Sequence, residues 1–321
     1  GAGICMKKKE AASNAREKIS WKEKSKVQGD FRFDVINMIA LTILMLIFFY
    51  PMYLCLISAI SSPEEVFAGR VLLIPKGFNA EGFQRVLQND SLWRGYLNSI
   101  CYTILGTAIN LALTMTGAFV LSRKTFALRG VLNWMVLITM FFGGGMIPTY
   151  LLVKNLGMLN TVWALVLPGA ISTWNLIITR TFISSSIPDE LQEAAQIDGC
   201  NNARFFVSIV LPNSSTIIAV IGLFYAVDHW LSYWNAMLYI TKSEMYPLQL
   251  VLRDILLKAE VALESARSGE DSESAMAVVE LLRISESVKY IVVIAGTLPL
   301  LIVFPFVEKY FVKGVMIGSV K

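Results

Sequence analysis

The residues best placed to do chemistry are Tyr225, Asp228, His229, Ser232 and Asn235, which at about 100° per residue fall in one sector of a helix within an otherwise apolar run. Trp230 and Trp234 fall on the opposite side and read as packing or lipid-facing residues. Asp228 lies about 14 residues, or roughly 21 Å, into its run. An ionisable group that deep in a membrane faces protein or water rather than lipid. Two chemistries fit the stripe. It can offer hydrogen bonds to a polar solute moving past it, or Asp228 and His229 can form an internal pair that fixes the helix. Pro168, Ser172, Asn175 and Thr179 repeat at helical spacing one run earlier, and of these only Asn175 is a lining candidate. Thr103, Gly106, Asn110, Thr114 and Gly117 form a similar but smaller stripe, the pattern of tight helix packing.

A second constellation lies in a polar stretch between two apolar segments. The run EAAQIDGCNNARFFVSIVLP, Glu193 to Pro212, fits E-A-A-x3-G-x9-I-x-L-P at every fixed position, so that Glu193, Ala194, Ala195, Gly199, Ile209, Leu211 and Pro212 are its anchors, with Asp198 beside the glycine. Pro188 followed by Asp189 and Glu190 suits a helix start, which predicts a helix over 189–197. Ala194 and Ala195 leave one face of it nearly bare, open to close approach by another protein. Gly199 supplies the left-handed residue that stops a helix. A second helix is predicted over 203–210, with Pro212 marking entry into the next apolar run. An ordinary surface helix of good helix formers would not require every fixed position at this spacing.

The elements that must position these residues are membrane helices. Hydrophobic residues make up 55% of the 321-residue chain and charged residues 16%, more apolar than soluble domains of this length. A bilayer core needs about 20 apolar residues in helix, and six charge-poor runs of that order occur: Val35–Ser62, Tyr96–Ser122, Val131–Val153, Leu159–Thr179, Ser214–Thr241 and Tyr290–Val307. The expectation is an all-α, polytopic, six-span protein. A basic arm over 1–34 carries Lys7, Lys8, Lys9, Arg16, Lys18, Lys22, Lys24, Lys26 and Arg32 and is assigned to the cytoplasm by the positive-inside rule. Arg123, Lys124 and Arg129 in a later loop, and Lys309, Lys313 and Lys321 at the end, agree with both termini being cytoplasmic. The loop 184–213 around the E-A-A run is acidic and takes its sidedness from helix parity. Loops 63–95 and 242–289 then lie outside, the second with a Ser/Gly-rich acidic tip that reads as mobile. The net charge of +4 comes largely from the arm and speaks to topology, not to an anionic solute.

Several classes are excluded. The first apolar run starts too late and is too long for a cleaved signal peptide; Met6 before three lysines reads as the natural start. Cys5, Cys55, Cys101 and Cys200 have neither metal nor redox spacing and read as packing residues. No G-x-x-x-x-G-K-[ST] loop occurs, so nucleotide hydrolysis is expected in another chain. Gly143, Gly144 and Gly145 sit inside an apolar run before Pro148 and read as a helix break.

The E-A-A run resembles the cytoplasmic coupling loop of ABC importer permeases. FYAVDHWLSYWNAMLYI, YPLQLVLRDIL and the terminal EKYFVKGVMIGSVK are similar to the carbohydrate-uptake, maltose-type group, in particular to permeases for oligosaccharides or polysaccharide fragments. The resemblance implies a type I importer architecture in a bacterial cytoplasmic membrane and a chain that binds no cofactor itself. It implies a second, homologous permease, two cytoplasmic ATP-binding subunits that hold ATP and Mg, and an extracellular solute-binding protein as partners, with no nucleic acid. Glu193 would meet a basic group of the ATPase, and Tyr310 to Lys321 would lie near the ATPase dimer. The polar stripe would suit a sugar, which is bound by hydrogen-bonding side chains and aromatic faces. The same architecture could carry a non-sugar solute. A secondary transporter would show two repeated halves, which are not seen.

Overall fold

The computed structural model describes residues 32–78, 81–267 and 288–305; the arm before Arg32, the acidic tip around Glu270 and the tail Tyr310 to Lys321 lie outside them. Among the described residues the regular elements are helices, joined by one isolated antiparallel bridge between Ser61 and Phe78. Helix α1 (Arg32–Ile60) leaves Ile36, Leu41, Leu44, Ile47 and Phe48 more than half exposed. A bare apolar helix of that length belongs in hydrocarbon, where its backbone is satisfied internally. Short helices α2 (Pro63–Phe67) and α3 (Glu81–Leu87) follow.

Helix α4 (Asp90–Ser122) is the spine of the molecule. Asn89 caps it, its side chain accepting from the Ser91 amide at 3.0 Å, and Asp90 sits at the positive end of the helix dipole. Along its length α4 contributes Leu92 to one apolar cluster, Tyr102 to a second, and Met115, Ala118 and Phe119 to a third. The small-residue stripe is what lets neighbours close in: Asn110 and Thr114 are fully buried, and Gly117 is positioned within contact distance of Leu176.

Helices α5 (Arg129–Phe141) and α6 (Met146–Asn155) meet at 115°. The bend falls on the three glycines, with Gly145 at φ +84°, a conformation that only glycine adopts cheaply. The fourth apolar run is divided into α7 (Val162–Val166) and α8 (Thr173–Ser186). Pro168 lies in the gap with no N–H to continue a helix, and Ser172 caps α8 by accepting from the Asn175 amide at 3.5 Å. Then come α9 (Asp189–Ile197), α10 (Asn202–Phe205), a π turn over Phe206–Val210, and α11 (Leu211–Asn213). The segment ending with α11 meets α12 (Ser215–Trp230) at 82°. Helices α13 (Tyr233–Tyr239), α14 (Leu248–Arg267) and α15 (Val288–Pro305) complete the described chain.

Uninterrupted helices over all six predicted spans are therefore not what is observed. Among the described residues, only α1, α4 and α15 are long and apolar enough to cross a membrane as single helices, and up to five spans result if each bent pair counts as one. The predicted helix over 203–210 is likewise divided, since Pro212 cannot donate and the ladder loosens into a π turn before it. Neither long loop is structureless. The first holds α2, α3 and the start of α4, and the second holds α14, whose Leu248 is fully buried with its amide donating to Ser99 Oγ at 2.8 Å. Cys101 is exposed rather than packed.

Candidate functional site

The E-A-A segment is built on α9. Pro188 occupies its N-cap position, and Asp189 and Glu190 fill its first turn. Its end is a complete Schellman stop: Gly199 at φ +79° donates to Gln196 O at 3.0 Å, and Cys200 donates to Ala195 O at 2.9 Å, the pairing expected of a glycine C′ residue. Nothing lies within 4 Å of where a Gly199 side chain would start, so the constraint there is backbone conformation alone. Glu193, Ala194 and Asp198 are exposed, and Ile197 is 87% exposed. The two alanines do not share a face. Ala195 is buried in the cluster of Met115, Phe119, Ile183 and Phe205, because consecutive helical residues are 100° apart and α9 needs one apolar edge against its own chain. Ile209 and Leu211 pack on the same cluster, and Pro212 is exposed.

The stripe on α12 is divided in two. Tyr225 and His229 turn into the interior. The Tyr225 hydroxyl pairs with Thr114 Oγ1 at 2.7 Å and accepts from the Ser172 amide at 3.0 Å, while His229 Nε2 faces Asn110 Nδ2 at 3.1 Å. Asn175 is buried too, on α8. Asp228, Ser232 and Asn235 instead line an open groove with Leu223, Leu231, Trp234 and Phe304. The helix breaks after Trp230, with Ser232 outside helical geometry at ψ 63°, so a constant 100° step does not hold across it. Trp234 therefore shares the groove with the polar residues instead of opposing them. Trp230 is buried, its indole donating to Gly296 O at 3.0 Å. The end of α13 is fixed by Asn160, itself at φ 57°, whose side-chain oxygen accepts from the Thr241 and Lys242 amides at 2.7 and 3.2 Å.

Residues 109–317 match the family described as binding-protein-dependent transport system inner membrane component. The chain belongs to that family. It is similar to the polygalacturonan/rhamnogalacturonan transport system permease protein YtcP of Bacillus subtilis (strain 168), at 38% identity over 90% of this chain and 98% of that one. It is also similar to the sn-glycerol-3-phosphate transport system permease protein UgpE of Escherichia coli (strain K12), at 31% identity over 61% of this chain and 72% of that one. Among solved structures, a bacterial ABC transporter involved in the import of the acidic polysaccharide alginate matches with a TM-score of 0.75 and 28% identity, over 88% of this chain and 98% of that one.

In this transport component, α9 is tied to the spine by a residue that the sequence marked only as a topogenic charge. Arg123, at the end of α4, is 4% exposed. It donates to Ser122 Oγ at 3.0 Å, Gln192 Oε1 at 3.3 Å and Ile187 O at 3.2 Å, and lies 3.6 Å from Asp189 Oδ1. Its guanidinium stands 5.5 Å over the Phe119 ring. Burial lowers its pKa from the usual arginine value, the Asp189 charge works in the opposite direction, and Arg129 lowers it further; an arginine still keeps its proton there. Lys124 reaches the other Asp189 oxygen at 3.1 Å, and Gln192 passes the chain on to Asn202 Oδ1 at 3.2 Å. Spacing alone could not show this, since the partners are about 65 positions apart.

Proposed function

We propose that this chain is one of two different permease subunits of an ATP-driven importer for an oligosaccharide or polysaccharide fragment, with α9 as the knob that a separate ATPase grips. The observation that carries the proposal is the presentation of α9: Glu193 and Ala194 stand exposed on a short helix closed by a Schellman stop, on a chain with no nucleotide loop of its own. Two ATP-binding subunits would supply ATP and Mg, and an extracellular binding protein would deliver the solute. Both termini and α9 would be cytoplasmic. Asp228, Ser232 and Asn235 would line this subunit's side of the path, with Tyr225, His229 and Asn175 holding the helices behind it. The carbohydrate assignment follows from YtcP and from the alginate importer.

The test is uptake by proteoliposomes holding both permeases and the ATPase subunits, with the binding protein added outside. Saccharide uptake should require ATP and every component, and uptake that persists without the ATPase would sink the reading. A cysteine placed at Asn201 should react with an impermeant thiol reagent from the ATPase side, and one at Thr241 from the other side. UgpE supports a second reading, a non-sugar solute. Competition of labelled saccharide uptake by sn-glycerol 3-phosphate against competition by galacturonate oligomers separates the two.

A further inference from the structure

We infer that Arg123 is the positioning residue that makes α9 and the spine helix α4 move as one body, so that force applied to α9 reaches the groove. The inference rests on the proposed docking of an ATPase at α9. The guanidinium touches three separate pieces of chain: the end of its own helix through Ser122, the turn between α8 and α9 through the Ile187 carbonyl, and α9 itself through Gln192 and Asp189. A planar fork with fixed donor directions can hold several acceptors at once, where a lysine is a single point charge. With Arg123 and Gln192 both buried, sliding α9 against α4 would unpair a charged group away from water, which is far more costly than moving the two together. The far side of the same helix carries the continuation. Asn110 meets His229, and Thr114 meets Tyr225; between these two contact residues α12 offers Asp228 to the groove. A displacement of α9 thus has a continuous polar and packed connection to the groove, with no flexible joint between Arg123 and Asn110.

The variant that tests this is Arg123→Met in the full complex. Methionine keeps contact with the Phe119 ring, and Asp189, partly exposed and still paired with Lys124, is not left as a buried lone charge. Three quantities are read in proteoliposomes: ATPase subunits retained, hydrolysis stimulated by the binding protein, and solute moved per ATP. The clamp predicts that the subunits stay bound while solute per ATP falls about tenfold, the factor carried by one hydrogen bond to a charged group. An unchanged ratio overturns the inference. Gln192→Met, which removes a single arm and leaves Arg123 its other acceptors, decides the matter alone if Arg123→Met does not assemble: a lowered ratio supports the clamp and a wild-type ratio rejects it. Gly199→Val run in parallel separates the two readings. If it keeps its ATPase subunits and stimulated hydrolysis, the docking reading fails; if it loses them while Arg123→Met transports normally, only the clamp fails.

Discussion

Two regions along the spine helix are built on opposite principles. At the joint between α9 and the spine the buried side chains are paired: Arg123 has three hydrogen bonds and an ion pair, Gln192 bridges it to Asn202, and the helix stop satisfies its own carbonyls. Around α12 and α13, the hydroxyl of Ser232 and the side-chain oxygen of Asn110 are buried without a protein partner, and Asp228 stands exposed at the groove. A paired network resists deformation, whereas unpaired polar groups in a membrane protein require water, solute or another chain. The first arrangement suits a lever and the second suits a passage.

The largest predicted effect attacks the lever at its geometry. Gly199→Val puts a β-branched residue at φ +79°, where an L-residue pays roughly 1–2 kcal/mol even before branching. The Schellman stop should open and α9 lose its presentation. Stimulated ATP hydrolysis by the purified complex should drop to the basal rate, and Gly199→Asn, which tolerates the left-handed region, should recover part of it. Equal loss in both variants would show that something other than backbone conformation is needed at this position.

A smaller effect attacks the joint between lever and passage. A Cβ at Gly106 would overlap the His229 ring, and overpacking of this kind costs about 1–3 kcal/mol. Gly106→Ala should lower the thermal midpoint of the detergent-solubilised complex. Combining it with His229→Ala, which vacates the space, should restore most of the loss, so the double-mutant cycle reads the contact directly. Additive losses would mean that α4 and α12 are not held together at this point.

The two regions also differ in how far the sequence reveals them. The helix over 189–197 and its glycine stop were legible because every determinant lies within one short segment: proline and acids at the start, glycine at the end. The small-residue stripe of α4 was legible as packing for the same reason. Three things were not. The sequence places Ala195 outward beside Ala194, although only the core of α4, α8 and α10 decides which alanine is buried. Arg123 looked like one charge in a basic loop, since its partners are distant in sequence. The stripe from Tyr225 to Asn235 holds together only along an unbroken helix, and the break after Trp230 redirects everything beyond it. Local signals survived, and readings that needed continuity or long-range contact did not.

The smallest predicted effect falls on the groove. Asp228→Asn removes a charge with almost no change in size. A charged carboxylate facing hydrocarbon at the bilayer centre costs about 2.5–3.5 kcal/mol even on lenient insertion scales, so if Asp228 faced lipid the asparagine variant would insert and fold better than the parent. If Asp228 faces a wet path, insertion and ATPase retention should be unchanged, and the concentration dependence of uptake should shift a few-fold, because hydrogen bonds to an ionised group are roughly twice as strong as neutral ones. Measuring protein yield in the membrane and half-saturating solute concentration on the same preparations separates these outcomes. A gain in yield with unaltered uptake would reassign the groove to the lipid side and remove the contrast between the two regions along α4; a shift in half-saturation at constant yield would make Asp228 a residue that the solute meets.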